Sequence, residues 1–285
     1  MDKLVSTSWL AAELGAPDLV VLDASLHLPS AGRDAADEFA DTHIDGARFL
    51  SLATLHDPAS SLPGKVPDAK KVAERLASLG VDADSRIVLY DDSALRTACR
   101  AWFLLTTHGL DKVAVLDGGL AKWKAEKRPL SDEPVKSDDR DAGDPPSLSP
   151  DRGAIRSKRE VLDDLATYAE QLVDARDEGR FTGETVDTVH DLPGGHIPGA
   201  RNLPFTRLFA GDGTFLPASQ LAQQFRDAGI DPQRPVVAYC GSGVTASVLM
   251  FALALIGAPK TALYDGSWAE WGSDPATPKQ TGEAR

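Results

Sequence analysis

The sequence predicts an α/β chain made of two similar domains, each a mostly parallel sheet flanked by helices. A length of 285 residues suits two domains better than one. Segments of the first half recur in the second half at a nearly constant offset. Short apolar runs alternate with helical patterns, which is typical of a parallel sheet covered by helices.

The repeat consists of four landmarks in the same order. The offset is 149 residues between Asp91 and Cys240, and 148 between Trp123 and Trp271. Such agreement predicts a duplicated domain. The paired segments are 21–24 with 172–175, 43–48 with 196–201, 87–91 with 236–240, and 113–123 with 261–271.

The individual elements follow from hydrophobic patterning. Residues 19–22, 87–90 and 113–116 are apolar nearly throughout, as expected of strands covered on both faces. Residues 68–79 and 219–228 have helical patterns, and apolar helix-like runs cover 98–107 and 244–256. A stretch rich in Asp, Ser and Pro lies between the halves. These patterns predict a first domain over 1–132, a linker over 133–153 and a second domain over 154–285.

Composition excludes several classes of partner. A net charge of −13 argues against nucleic acid and against an anionic membrane surface, because both require a basic face. No apolar run is long enough to cross a membrane, and no secretory signal is visible after Met1. The chain has only Cys99 and Cys240, so neither a disulfide scaffold nor a zinc site is expected, and a reducing cytoplasm fits best. An anionic substrate would need a local positive site.

Cys240 stands where the chemistry of such a fold is expected. It follows an apolar strand and precedes a loop and a helix start, so it should lie at the carboxyl edge of a parallel sheet. The loop glycines and the helix start would favour a thiolate, a bound anion or a persulfide sulfur. The alternative is a small buried hydrophobe. The matching residue in the first half is Asp91, and Cys99 is expected to pack. The predicted loop residues are Gly241, Ser242, Gly243, Val244 and Thr245.

The loop from Cys240 to Ala246, with sequence CGSGVTA, resembles the active-site loop of the tandem-domain rhodanese family of 3-mercaptopyruvate and thiosulfate sulfurtransferases. The resemblance implies two rhodanese-like domains, the first inactive and the second catalytic. It implies sulfur transfer from 3-mercaptopyruvate to a thiol, cyanide or a thioredoxin-like protein through a persulfide on Cys240, with no cofactor and no metal. Thiosulfate as the main donor is the alternative.

The same resemblance assigns substrate-binding residues and also shows departures. Arg180 matches an arginine that binds the donor in mercaptopyruvate enzymes. A second arginine of the family would fall at Val189, and the neighbouring His190 is a candidate replacement. The Asp and His of a proposed relay would fall near Ala53 and Ser60, where both groups are absent. His56 and Asp57 lie nearby in the sequence.

Two further readings belong to other classes of protein. A cysteine phosphatase needs an arginine six residues after the cysteine, where this chain has Ala246. A non-enzymatic binding module is compatible with the fold, but the loop after Cys240 argues against it. His43 and His196 occur at equivalent positions in both halves, so a structural role is expected for both.

Overall fold

A computed structural model describes residues 1–133 and 146–283. Contacts divide the described chain into two units: unit 1 comprises Met1–Asp57, Val66–Asp151 and Ala210–Phe215, and unit 2 comprises Pro58–Lys65, Arg152–Phe209 and Leu216–Arg285. Most of the predicted linker, residues 134–145, lies outside the described residues.

Unit 1 contains a five-stranded sheet in the order β1-β6-β5-β2-β4, in which every neighbouring pair is parallel. A small antiparallel pair, β3 with β7, lies beside it. The strands are β1 (Leu4–Val5), β2 (Leu19–Asp23), β3 (His43–Ile44), β4 (Arg48–Phe49), β5 (Arg86–Tyr90), β6 (Val113–Leu116) and β7 (Leu130–Ser131); the helices are α1 (Thr7–Glu13), α2 (Ala35–Asp41), α3 (Ala69–Ser78), α4 (Ala98–Thr107) and α5 (Gly119–Ala125).

Unit 2 repeats this arrangement with a parallel sheet in the order β10-β9-β11-β12-β8. Its central strand, β11, is buried along its whole length, as the apolar pattern predicted. The strands are β8 (Ile155–Arg156), β9 (Gln171–Asp174), β10 (Arg201–Asn202), β11 (Val236–Tyr239) and β12 (Thr261–Tyr264); the helices are α6 (Lys158–Asp164), α7 (Glu178–Thr182), α8 (Ala218–Asp227), α9 (Ala246–Leu255) and α10 (Ser267–Trp271).

The duplication extends to individual contacts. The hydroxyl of Tyr90 accepts a hydrogen bond from the amide of Ile44 at 3.3 Å, and the hydroxyl of Tyr239 accepts one from Ile197 at 3.2 Å. His43 Nδ1 lies 2.7 Å from the carbonyl of Phe39, and His196 Nδ1 lies 2.8 Å from that of Phe181. Each imidazole also stacks on that phenylalanine ring. Both histidines therefore secure a turn, as their presence in both halves predicted.

The helices are short. The longest of the described chain have ten residues, and α9 is the most apolar of these. Residues 1–133 and 146–283 contain no helix with the length and hydropathy required to cross a membrane.

Candidate functional site

Cys240 directly follows β11, the central strand of unit 2, and lies at the carboxyl edge of the sheet. The residue is only 2% exposed. The amide of Gly243 donates a hydrogen bond to Cys240 Sγ over 3.2 Å. Gly243 has a φ of +83°, which a residue with a side chain adopts only with strain, and this turn brings its amide back onto the sulfur.

The loop ends in α9, which begins at Ala246 rather than at Val244 as the apolar pattern predicted. Val244 and Thr245 form a turn that completes the loop. The Ser247 hydroxyl donates a 2.8 Å hydrogen bond to the Gly243 carbonyl and ties the first turn of α9 to the loop. The helix therefore presents its positive end to the loop that carries the sulfur.

The first residues of α10, which follow the neighbouring strand β12, hold the backbone of Cys240 in place. The Cys240 amide donates to the Ser267 hydroxyl at 3.2 Å, and the Cys240 carbonyl accepts from the Trp268 amide at 2.9 Å. Ser267 has a φ of +51° and is fully buried, so the backbone at the start of α10 is fixed by packing. The cysteine backbone is thus anchored on both its amide and its carbonyl.

His190 lies against the other side of the loop. A Cβ atom added at Gly241 would clash with Cε1 of the His190 ring, so only glycine leaves room for this imidazole. Gly241 therefore serves the close approach of the His190 ring to the loop. His190 Nδ1 lies 3.1 Å from Oδ1 of Asp187, which fixes the orientation of the ring.

Asp187 is fully buried and accepts hydrogen bonds on Oδ1 from the amides of Val189 and His190, at 3.1 and 3.3 Å. Burial raises the pKa of this carboxyl. The hydrogen bond from His190 and the positive charges of His190, Arg180 and Arg176 outweigh burial and lower the pKa of Asp187 to about 2. Asp187 is therefore ionised at neutral pH, and His190 Nδ1 carries a hydrogen toward it.

Arg176 is fully buried and acts within the scaffold of the site. Its Nη2 lies 2.6 Å from Oδ2 of Asp174, at the end of β9, and its guanidinium covers the Trp268 ring at 4.6 Å from the centroid. Burial lowers the pKa of Arg176, but the Asp174 carboxylate more than offsets this and keeps the pKa above its ordinary value. A guanidinium with no exposed surface is not available to a donor in this state.

Arg180, the predicted donor-binding arginine, lies in α7 and is 22% exposed. Its Nε is 2.5 Å from Oδ2 of Asp177, and its Nη1 is 3.7 Å from Oδ1 of Asp187. Arg180 thus belongs to the same polar cluster as His190, with its charge shared between two carboxylates.

Lys65 also belongs to unit 2, although it comes from the first half of the sequence. Its Nζ lies 3.4 Å from Oδ2 of Asp265, the residue after β12. The preceding Gly64 has a φ of +67° and packs so closely that an added Cβ would lie 3.3 Å from the Ser242 carbonyl oxygen. A lysine thus lies beside the cysteine loop.

The corresponding loop of unit 1 is filled by the side chain of Asp91. Asp91 replaces the cysteine, and its carboxylate accepts hydrogen bonds from the amides of Ser93 at 3.0 Å and Ala98 at 2.7 Å. Ala98 begins α4, which is the counterpart of α9. Cys99 follows and is buried in α4. Unit 1 has a carboxylate where unit 2 has a thiol.

The structure brings Cys240, its loop, His190, Asp187 and Arg180 into one region of unit 2. Ser60 is also in unit 2, and its hydroxyl accepts a hydrogen bond from the Leu62 amide at 3.1 Å. His56 and Asp57, the candidates for a replacement relay, belong to unit 1.

Sequence reasoning missed Asp187, Arg176 and Lys65. The sequence did contain a signal for Arg176, which stands two residues after the end of β9. Because the carboxyl ends of parallel strands meet at one edge of the sheet, this position predicts a place near Cys240.

Known proteins share both the sequence and the fold. The Rhodanese-like domain profile matches residues 6–126 and 157–274. The chain belongs to the rhodanese family. It is 37% identical over 274 residues to the 3-mercaptopyruvate sulfurtransferase of Mus musculus, covering 94% of this chain and 91% of that protein. It is 34% identical over 278 residues to the thiosulfate sulfurtransferase of Cricetulus griseus, covering 94% and 91%.

Solved structures agree with this assignment. The crystal structure of SseA from Escherichia coli, described as a 3-mercaptopyruvate sulfotransferase with the rhodanese fold, matches with a TM-score of 0.80 and 33% identity over 94% of this chain and 99% of that one. Tum1 from Saccharomyces cerevisiae matches with a TM-score of 0.87 and 27% identity over 98% of both chains. The predictions of two rhodanese-like domains and of a sulfurtransferase enzyme are confirmed.

Proposed function

We propose that unit 2 transfers sulfur from 3-mercaptopyruvate to a thiol or cyanide through a persulfide on Cys240, and that unit 1 is non-catalytic. The observation that carries this proposal is the Gly243 amide, which donates to Cys240 Sγ at 3.2 Å beside the start of α9. A backbone donor and a helix start stabilise negative charge on sulfur, both in the thiolate and in the persulfide.

In the first half-reaction the Cys240 thiolate attacks the sulfur of 3-mercaptopyruvate. The carbon–sulfur bond breaks, and its electron pair moves onto the carbon as the enolate of pyruvate. The proton carried by the donor thiol passes to that carbon, which leaves pyruvate and an anionic persulfide on Cys240. Atoms and charges balance without a metal or an oxidant.

In the second half-reaction the acceptor attacks the outer sulfur, and the sulfur–sulfur bond breaks with its electron pair returning to Cys240 Sγ. Cyanide leaves as thiocyanate. Because Cys240 is 2% exposed, a macromolecular acceptor has little access to Sγ itself. A persulfide extends the reactive sulfur outward by one sulfur–sulfur bond of about 2 Å, which brings it toward the acceptor.

The polar cluster supports an anionic donor with a carboxylate. Arg180 offers a guanidinium fork, and His190, oriented by Asp187, offers Nε2 next to Gly241. Both described cysteines are unpaired thiols, which is compatible with the reducing cytoplasm that we propose as the location.

The test is thiocyanate formation from cyanide with 3-mercaptopyruvate or thiosulfate as donor. We expect Cys240→Ser to lose more than about a thousand-fold of kcat/KM, because no covalent carrier remains. Cys99→Ser is the matched control and should keep wild-type rates. Mass spectrometry after exposure to donor alone should find one added sulfur on Cys240. Sulfur transfer by Cys240→Ser would refute the mechanism, and a higher kcat/KM for thiosulfate would reassign the main donor.

A further inference from the structure

The cationic groups of the Cys240 region differ in how far their charge is already neutralised. Arg176 is fully buried against Asp174, and Arg180 is held between Asp177 and Asp187. Three carboxylates thus surround two arginines. The overall charge of −13 adds an unfavourable field for any anionic donor.

Lys65 is placed differently. It is 25% exposed, and among the residues that the structure describes its Nζ forms an ion pair with one carboxylate, that of Asp265, at 3.4 Å. An ammonium has three hydrogens to donate, and one carboxylate oxygen takes one of them. The flexible lysine stem allows Nζ to contact a second anion while it stays near Asp265.

Lys65 and Asp265 each lie close in sequence to a residue that contacts Cys240 or its loop. Gly64 packs on the Ser242 carbonyl, within the loop that follows Cys240. Asp265 is two residues before Ser267, whose hydroxyl accepts the hydrogen bond from the Cys240 amide at 3.2 Å. Lys65 therefore lies at the carboxyl edge of the sheet between the loop after β11 and the loop after β12.

We propose that Lys65 binds the anionic group of the sulfur donor beside the Cys240 loop. Lys65 would supply positive charge to a site in which Val189 stands where the resemblance implies a second arginine. This inference rests on the proposed function and deepens it by assigning a donor-binding residue. The alternative is that Lys65 only neutralises the buried carboxylate of Asp265, and the two roles make different predictions for charged reagents.

The experiment uses full-length protein in a Cys99→Ser background, so that Cys240 is the only thiol. The rates of Cys240 alkylation by iodoacetate, an anion, and by iodoacetamide, its neutral analogue, are measured by mass spectrometry. Their ratio reports the charge near Sγ, because the thiolate fraction affects both rates equally. We expect Lys65→Gln to lower this ratio about three- to ten-fold, as loss of one nearby charge at intermediate dielectric predicts.

Two controls fix the interpretation. Lys65→Arg keeps the charge and should keep the ratio. Lys260→Gln removes the same charge from an exposed residue just before β12, at the opposite edge of the sheet, and should leave the ratio unchanged. Thermal unfolding of each variant verifies that the fold is intact.

Donor kinetics complete the test. Lys65→Gln should raise KM more than it lowers kcat, and it should reduce kcat/KM more for thiosulfate, a dianion, than for 3-mercaptopyruvate, a monoanion. A Lys65→Gln ratio equal to that of Lys260→Gln, in an enzyme that still transfers sulfur, would overturn the role of Lys65 alone. A wild-type protein that transfers sulfur from neither donor would overturn the proposed function instead.

Discussion

The Asp187 carboxylate is the centre of the polar side of the site. It orients His190 through Nδ1, holds the backbone at Val189 and lies 3.7 Å from Nη1 of both Arg176 and Arg180. Its pKa of about 2 keeps it ionised throughout the pH range in which a thiolate enzyme works. The acid limb of activity is therefore set by other groups, and Asp187 acts as a fixed charge that positions its neighbours.

Val189 is the position at which a single substitution should change the choice of donor. It is 43% exposed and adjoins His190, which packs on Gly241. Its contact with Asp187 uses the backbone amide, so the side chain can be replaced without losing that bond. Val189→Arg should raise kcat/KM for 3-mercaptopyruvate about three- to ten-fold relative to thiosulfate, because a guanidinium fork matches a planar carboxylate. Steady-state kinetics with both donors measure this change.

Val186→Arg is the matched control for that substitution. Val186 is 63% exposed in the same segment, and an arginine there adds the same charge to the protein. It should leave the ratio between the two donors unchanged. Equal effects of both arginines would show that only the added net charge matters and that Val189 has no special position.

The loops that follow β5 and β11 occupy equivalent positions in the two units, but their backbone amides bind different side chains. In unit 2 an amide points at a thiol, whereas in unit 1 the amides of Ser93 and Ala98 point at the carboxylate of Asp91. Asp91 thus fills its own loop with a carboxyl group. The same backbone design that would hold a persulfide in unit 2 holds a side chain in unit 1.

That carboxylate should give unit 1 a measurable pH dependence. Burial raises the pKa of Asp91 to about 6, and the hydrogen bonds from Ala98 and Ser93 offset only part of this effect. Because the folded pKa exceeds the unfolded value, the folded chain binds more protons between about pH 4 and 6. The contribution of Asp91 to stability is therefore present at low pH and is lost as pH rises, by about 3 kcal/mol in total.

Urea unfolding at a series of pH values tests this linkage. Relative to Asp91→Asn, which has no proton to lose, the wild type should become less stable as pH rises from 4 to 6.5. Asp111→Asn, which removes an exposed carboxylate of the same unit, should run parallel to wild type. Parallel curves for Asp91→Asn and wild type would mean that Asp91 titrates normally in the folded protein.

Local patterns were sufficient to predict the framework of each unit. The apolar run at 113–116 is β6 and the helical pattern at 68–79 is α3, with Asp68 capping its first turn through the Lys71 amide. The start of α9 was wrong by two residues, since the left-handed turn at Gly243 delays the helix and apolar periodicity does not report φ. The Cys240 loop was predictable because its sequence resembles the active-site loop of the rhodanese family. Arg180 and His190 were predictable because they lie at or next to positions at which that family carries arginines.

Other parts of the site were not predictable, because they depend on contacts between residues far apart in the chain. Lys65 is an ordinary lysine in its local sequence, and only its placement 3.4 Å from Asp265 makes it a candidate for donor binding. The same holds in unit 1, where Asp117, the counterpart of Asp265, accepts a 2.8 Å hydrogen bond from the Phe215 amide. Each unit thus includes one short segment from the opposite half of the sequence.

This exchange predicts that the second half of the chain is not a complete enzyme. A fragment of residues 154–285 contains Cys240 and its loop but lacks residues 58–65, and with them Lys65 and the packing of Gly64 on Ser242. Thiocyanate formation by the fragment should fall below that of full-length Lys65→Gln, since the fragment loses both the charge and the support of the loop. Its thermal midpoint, measured by circular dichroism, should also lie below that of the full chain. A fragment with the kcat/KM of the full chain would show that residues 58–65 contribute nothing to catalysis.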